Sequence, residues 1–322
     1  MARIIDSVIG HKPEIAQLFT LKQAGRWPHA IMFVGPSGIG KKKMALGFAQ
    51  ALVCEQSNEA CGVCGACIRI EKQQSESLTI LQPDPELSRP VIKVEKVRDL
   101  LDSLSLAAMD GGARVVIIDQ AQTMNPQASN ALLKTLEEPS ENIFFILIAN
   151  DVHQFLPTIR SRTQVMRFTA LSYDEVKTLK PDLPDWTYRS CRGQIDRLEL
   201  LSSPEGKVQR EEALTFFEQF CSDENFLTDK TWKDSVKDRS WAIFSLNCWL
   251  LMARDAVVLK TQAQKFILNT DQSERLKALY SVPASKLLWL CQHLIMAEKD
   301  INQNADTSLV FENLWIQYAR VD

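Results

Sequence analysis

Hydrophobic positions split the chain into two regimes. In the first half, short unbroken apolar runs alternate with stretches of helical period; in the second half the helical period continues throughout. Ile31–Val34, Val115–Ile118 and Phe144–Ala149 contain no polar interruption, the pattern of strands buried on both faces of a parallel sheet. Val91–Val94 and Val165–Phe168 read as two shorter strands. Ile15, Leu18 and Phe19 after Pro13, the run Met44–Leu52, and Val97, Leu100, Leu101 and Leu104 fall at helical spacing. Asn125–Glu138 reads as a further helix closed by Pro139. This alternation predicts a doubly wound α/β domain over residues 1–168, with ligands at the C-terminal strand ends.

Pro181, Pro184 and the segment Tyr188–Gly193 mark a small helical unit over 169–204. An all-helical domain is expected over 205–322, opened by Phe216, Phe217, Phe220 and Phe226 and continued by Leu287, Leu290, Leu294, Leu309 and Leu314. Its densest stretch, Trp241–Leu251, is interrupted by Ser245 and Asn247. It reads as core or interface, too short to span a bilayer.

Composition narrows the classes. Of 322 residues 45% are hydrophobic, enough for a sizeable core, and the net charge of −3 argues against a chain coated in nucleic acid. Met1–Ser7 lacks the charged-then-apolar pattern of a signal peptide, so a cytoplasmic setting and no membrane partner are expected. In that setting the eight cysteines are reduced thiols or metal ligands, not disulfides.

The candidate chemistry begins at Gly35-Pro-Ser-Gly38-Ile-Gly40-Lys41, between an apolar strand and a helix. A glycine-rich turn leading into a helix N-terminus presents backbone N–H groups to phosphate, and Lys41 stands where a P-loop lysine reaches the outer phosphates. The next position calls for a hydroxyl that ligates Mg²⁺; here it is Lys42, whose ammonium has no lone pair to give. Asp119, at the end of Val115–Ile118, is placed to hold Mg²⁺ or to cap the following helix, and Asn150 ends the Phe144–Ala149 strand facing the same pocket or a plain turn. Gln120, beside Asp119, is an amide and cannot act as a base. These residues predict a nucleotide fold without hydrolysis, with ATP or ADP binding left open.

Cys54, Cys61, Cys64 and Cys67 follow the loop's helix with the spacing C-x₆-C-x₂-C-x₂-C. Four thiolates this close predict a closed, structural tetrahedral zinc site. Cys191, Cys221, Cys248 and Cys291 are scattered singly and read as buried free thiols.

Taken together, these residues resemble the clamp-loader branch of the AAA+ ATPases. Pro28-His29-Ala30 before the loop, the inserted cysteine module, Val115–Asp119, the block Asn130–Pro139 and Thr158-Ile-Arg-Ser-Arg162 occur in family order. The resemblance covers residues 1–170. It implies an α/β AAA+ P-loop domain with an inserted zinc module, a small helical lid and an all-α C-terminal collar domain. It further implies a DNA polymerase III clamp loader, a hetero-pentamer of motor and clamp-opening subunits that acts on a sliding clamp and primed DNA. The family's Ser-Arg-Cys motif reads Ser161-Arg162-Thr163 here, which carries the arginine finger for a neighbour's ATP over to Arg162. The lid's sensor arginine does not carry over: Asp196 stands at its position after Gly193, with Arg197 one later. Lys42 and Gln120 depart from the motor pattern and resemble a non-hydrolysing member. An active motor subunit would require Ser or Thr at 42 and Glu at 120. A separate zinc-containing nucleic-acid-binding protein would require a basic stripe that the acidic chain lacks.

Overall fold

The computed structural model describes residues 3–321 apart from 85–89, 108–111, 140–141, 223–225, 229–230 and 262. Five strands, β1 (Ala30–Val34), β2 (Leu78–Leu81), β3 (Arg114–Ile118), β4 (Ile143–Ala149) and β5 (Gln164–Arg167), form one parallel sheet in the order β2-β3-β4-β1-β5. Successive side chains point to opposite faces. Thus β1 sends Ala30, Met32 and Val34 to one apolar cluster and Ile31 and Phe33 to the other.

Helices cover both faces. On one side α4 (Val94–Ala107) and α5 (Pro126–Glu137) contribute Leu100, Leu104, Leu132 and Leu136; on the other, α1 (Lys12–Gln23) and α2 (Lys41–Val53) contribute Leu18, Met44 and Phe48. Asn125 caps α5 by accepting from the Ala128 N–H at 2.7 Å, with Pro126 in the first turn. His29 is structural, its Nε2 lying 3.1 Å from the Leu136 carbonyl oxygen. Between these elements lie α3 (Gly65–Glu71), α6 (Pro157–Arg160) and α7 (Tyr173–Leu179). The expected doubly wound α/β architecture is what this region adopts.

One expected strand is corrected. Val91–Val94 is not a strand: Ile92 makes a single bridge to Met124, and α4 starts at Val94. The edge of β3 is already taken by β2, leaving Ile92 only the loop carbonyl of Thr123 and the Asn125 N–H, at 3.0 and 3.2 Å.

The chain divides into two compact units, 1–179 with 193–196, and 180–192 with 197–322. The division falls inside the stretch read as a lid, so that α7 groups with the sheet and α8 (Asp185–Ser190) with the helices. α9 (Ile195–Ser202) straddles it; α10 (Pro204–Ser222), α11 (Thr231–Ser235), α12 (Arg239–Leu259), α13 (Ser273–Ala278), α14 (Ala284–Asn302) and α15 (Thr307–Tyr318) follow. Trp249 is the centre of this second unit. It is fully buried, its indole N–H donates to the Ala213 carbonyl at 2.7 Å, and the rings of Phe220, Phe216, Phe217 and Phe311 lie 4.8 to 5.4 Å away. The stretch read as too short for a bilayer extends into the 21-residue α12. By length and composition this helix could cross a membrane, but 56% of its apolar window is buried in the fold. It also carries Asp255, a fully buried carboxylate.

Asp255 organises the loop after α12. It accepts from the backbone N–H groups of Leu268 and Asn269 at 3.0 and 2.8 Å, from Asn269 Nδ2 at 2.9 Å and from Arg254 at 2.6 Å. Asn269 Oδ1 in turn accepts from buried Arg210, which pairs with Asp271 at 2.7 Å and stacks on Trp186. Asp255→Ala strips the charge that these donors face, and the loss of one partner from a buried charged network costs about 3–5 kcal/mol. Six of the seven tryptophans lie in the second unit, Trp27 being the exception. Chemical denaturation followed by tryptophan fluorescence should therefore show Asp255→Ala with an earlier transition. A transition unmoved by the substitution would contradict the role given to this carboxylate.

Candidate functional site

The loop leaves β1 beside the end of β4: the Gly35 N–H donates to the Ala149 carbonyl at 3.2 Å, and exposed Asn150 follows directly. Gly38 and Gly40 have φ of 65° and 92°, left-handed values that favour glycine, and Gly40 is the N-cap of α2. The loop amides thus run into the N-terminus of a 13-residue helix.

The first turn of α2 is Lys41, Lys42 and Lys43, with no acidic residue. Each lysine has a protein partner. Lys41 is buried; its ammonium donates to the Gly35 carbonyl at 2.6 Å and also to that of Pro36. Burial lowers its pKa to about 8, against the opposing pull of Asp119 and Asp196. Lys42 Nζ lies 3.0 Å from Asp119 Oδ2 and donates to Gln82 Oε1 at 3.0 Å. Lys43 donates to the Ser7 carbonyl at 2.9 Å.

Asp119 follows β3, and its side chain is only 16% exposed. It does not cap the short 3₁₀ turn Ala121–Thr123, which has Gln120 at its N-cap and no side-chain capping bond. Its carboxylate instead faces the ammonium of Lys42 in the first turn of α2. Gly35, Gly38, Gly40, Lys41, Lys42 and Asp119 therefore meet at the C-terminal strand ends, with Asn150 next to Gly35.

Arg162 stands in the turn between α6 and β5. Its Nη2 lies 2.7 Å from Glu137 Oε1, and its Nη1 donates to the Thr158 carbonyl at 3.0 Å. Arg197 belongs to the second unit, where it is half-buried and donates to Asn247 Oδ1 at 3.2 Å.

The four cysteines form a cluster whose sulfurs all lie within 4.8 Å of one another, with Cys61 Sγ and Cys67 Sγ 3.9 Å apart. Zn–S bonds of about 2.3 Å in a tetrahedron put sulfurs about 3.8 Å apart, so the cluster has the right size. Backbone N–H groups already point at the sulfurs: Cys61 to Cys54, Cys64 to Cys61 and Cys67 to Cys64, at 3.3, 3.3 and 3.4 Å. Hydrogen bonds from the Val63 and Cys64 backbone pull the Cys61 thiol down, whereas burial pushes Cys67 up. The donor set can hold a metal ion such as zinc. Gln50, absent from the motif reading, ties this module to α2. Fully buried, it donates to the Cys67 carbonyl and accepts from the Ile4 N–H, both at 3.0 Å. Lys22 of α1 braces the other side, donating to the carbonyls of Ala51 and Asn58. A polar residue in the apolar run Met44–Leu52 was the available signal for Gln50. Lys22 gives none, because a lysine on a helix is ordinarily solvated.

The lowered pKa of Lys41 has a measurable consequence. A buried ammonium with a folded pKa near 8, below the ordinary 10.5, opposes folding at lower pH. That cost is present in full below pH 8 and fades between 8 and 10.5, where the folded chain releases the proton that the unfolded chain keeps. Lys41 should react with amine-selective reagents with a midpoint near pH 8, as read by peptide mapping against exposed lysines. A midpoint equal to that of Lys237 would refute the burial argument.

A family profile described as DNA polymerase III, delta subunit, matches residues 10–172, just over half of the chain. A DNA polymerase III subunit delta' of Pseudomonas aeruginosa is 40% identical over 136 residues, 42% of this chain and 41% of that one. The match thus spans about two-fifths of that relative's length. A delta' subunit of Bacillus subtilis is 26% identical over 309 residues, 92% of each chain. The tau subunit of Escherichia coli DNA polymerase III is 36% identical over 172 residues, 53% of this chain and 26% of that one. With the P-loop sheet, the cysteine cluster and the helical second unit, the profile match shows that the chain belongs to the DNA polymerase III delta-subunit family.

Proposed function

We propose that this chain is a non-hydrolysing subunit of the DNA polymerase III clamp loader. It joins motor and clamp-opening subunits in a hetero-pentamer that loads the sliding clamp onto primed DNA, and it supplies Arg162 to a neighbour's ATP. The observation that carries the non-hydrolysing reading is the Lys42–Asp119 ion pair. A hydrolysing loop needs a hydroxyl and a carboxylate on Mg²⁺; here a cation takes the hydroxyl's place and occupies the carboxylate. Gln120 supplies no carboxylate to activate water.

Arg162 supports the finger reading by its setting. The guanidinium is partly exposed in a turn and held by Glu137, an exposed carboxylate that a neighbour's phosphate can replace. Arginine fingers are worth roughly 10³–10⁵ in rate in the best-studied nucleotide hydrolases. The purified chain should show no ATP turnover above background. Mixed with its clamp-loader partners, it should support DNA-stimulated turnover, and Arg162→Ala should lower that turnover and clamp loading while leaving the assembled mass unchanged. Arg98→Ala, an exposed arginine on α4, is the control. Full clamp loading by an assembled Arg162→Ala complex would rule the finger out. ATP turnover by the chain alone would rule out the non-hydrolysing role.

The cysteine cluster holds one structural zinc in this reading. Structural zinc contributes on the order of 10 kcal/mol or more of apparent binding free energy, and all four thiols must lose their protons to take it. Protein purified without chelator should carry close to one zinc per chain. Cys67→Ser should lose it and melt earlier. Four freely reactive thiols and no metal would defeat this assignment.

A further inference from the structure

One carboxylate at the loop has no place in the nucleotide reading. Asp196, in the first turn of α9, lies directly against Gly38: a side chain on Gly38 would collide with its carboxyl group. The contact is fastened by the backbone, because the Ile195 N–H donates to the Gly38 carbonyl at 2.5 Å. Gly193 makes the approach possible. Its φ is 75°, a Cβ there would meet the Leu171 backbone, and its carbonyl accepts from the Leu171 N–H at 3.2 Å. The carboxylate is also close enough to act electrostatically on Lys41.

The charges around the loop explain the arrangement. Cations at a helix N-terminus oppose the helix dipole, and α2 begins with three of them. In a loaded P-loop, phosphates offset such charge. Here Asp119 faces Lys42, and Asp196 sits beside the loop that Lys41 closes. We propose that the loop carries its own counter-ions: Asp196 takes the place of the phosphate's negative charge at Gly38, Lys42 takes that of the divalent cation at Asp119, and a nucleoside triphosphate with its Mg²⁺ is thereby excluded.

This deepens the non-hydrolysing reading and rests on it, but it makes a separate claim. The site is closed to nucleotide by two identifiable side chains, not merely unable to hydrolyse it. An incoming phosphate meets a like charge at Gly38, and Mg²⁺ meets an ammonium at Asp119. Removing Asp196's charge removes the first barrier; replacing Lys42 with a hydroxyl removes the second and restores a metal ligand.

The test is calorimetric titration of the full chain with MgATP, and with ATP in chelator. The native chain should bind no tighter than about 1 mM; Asp196→Asn should tighten binding at least about tenfold, with or without Mg²⁺. Asp196→Asn combined with Lys42→Thr should tighten it further and make it Mg²⁺-dependent. Melting curves check folding, and Asp196→Ser replaces Asp196→Asn if that variant melts early. Unchanged affinity in folded variants overturns the inference. So does micromolar MgATP binding by the native chain, a result that stands whether or not any variant folds. Neither outcome bears on Arg162, and failure of Arg162 in the assembled complex leaves this titration untouched.

Discussion

A parallel sheet buried on both faces has only its strand ends to offer to a ligand, and that constraint organises the α/β unit. Every residue of β1 is buried, its alternate side chains serving two different cores. Nothing on the strand itself can reach solvent. The polar residues that matter come where each strand stops: Gly35 after β1, Asp119 after β3, Asn150 after β4. The register fixes their relation. Val34 of β1 pairs with Ala149 of β4, and Ile118 of β3 with Leu147, so β1 and β4 end together and β3 ends two residues short of them. The chemistry of this unit is therefore decided by a few positions that the core brings together but does not constrain in identity.

That freedom is visible at position 42. The first turn of α2 keeps its geometry whether it carries a hydroxyl or an ammonium, because the side chain points away from the buried face of Met44, Ala45 and Phe48. What changes is electrostatic. The pair is 3.0 Å apart, with the ammonium 41% and the carboxylate 16% exposed; exposed ion pairs are worth about 0–1 kcal/mol. The fold thus accepts an ammonium at this position without loss of the loop.

The elements legible in the sequence were those whose signal is local. Unbroken apolar runs gave β1, β3 and β4 because burial on both faces removes polar positions. Asn125 and Pro126 announced the start of α5, and cysteine spacing alone located the cluster. β2 was missed because Leu78–Leu81 is a four-residue edge strand, mostly half-exposed, whose partner lies more than thirty residues on. Val91–Val94 has the better strand composition, yet β2 takes the edge of β3 and Ile92 makes only a single bridge, to Met124. Asp196 was noted only as a departure from an arginine; that its carboxylate lies on Gly38 depends on a turn at Gly193 and on contacts distant in sequence.

The cysteine module and the nucleotide loop sit at opposite ends of one helix. α2 begins at Lys41 and ends at Val53, just before Cys54, and Gln50 on its last turns holds the Cys67 carbonyl. A helix with one end in a charged loop and the other in a four-thiol cluster is restrained at both termini, where isolated helices fray. Phe48, between them, is fully buried against Phe19 and Trp27 at 5.0 and 5.5 Å. The module has all four donors directed at one another and leaves no position for a substrate. Its contribution is thus mechanical: it anchors the C-terminal end of the helix whose N-terminal end presents Lys41 and Lys42, which ties the placement of both charges to the integrity of the cluster.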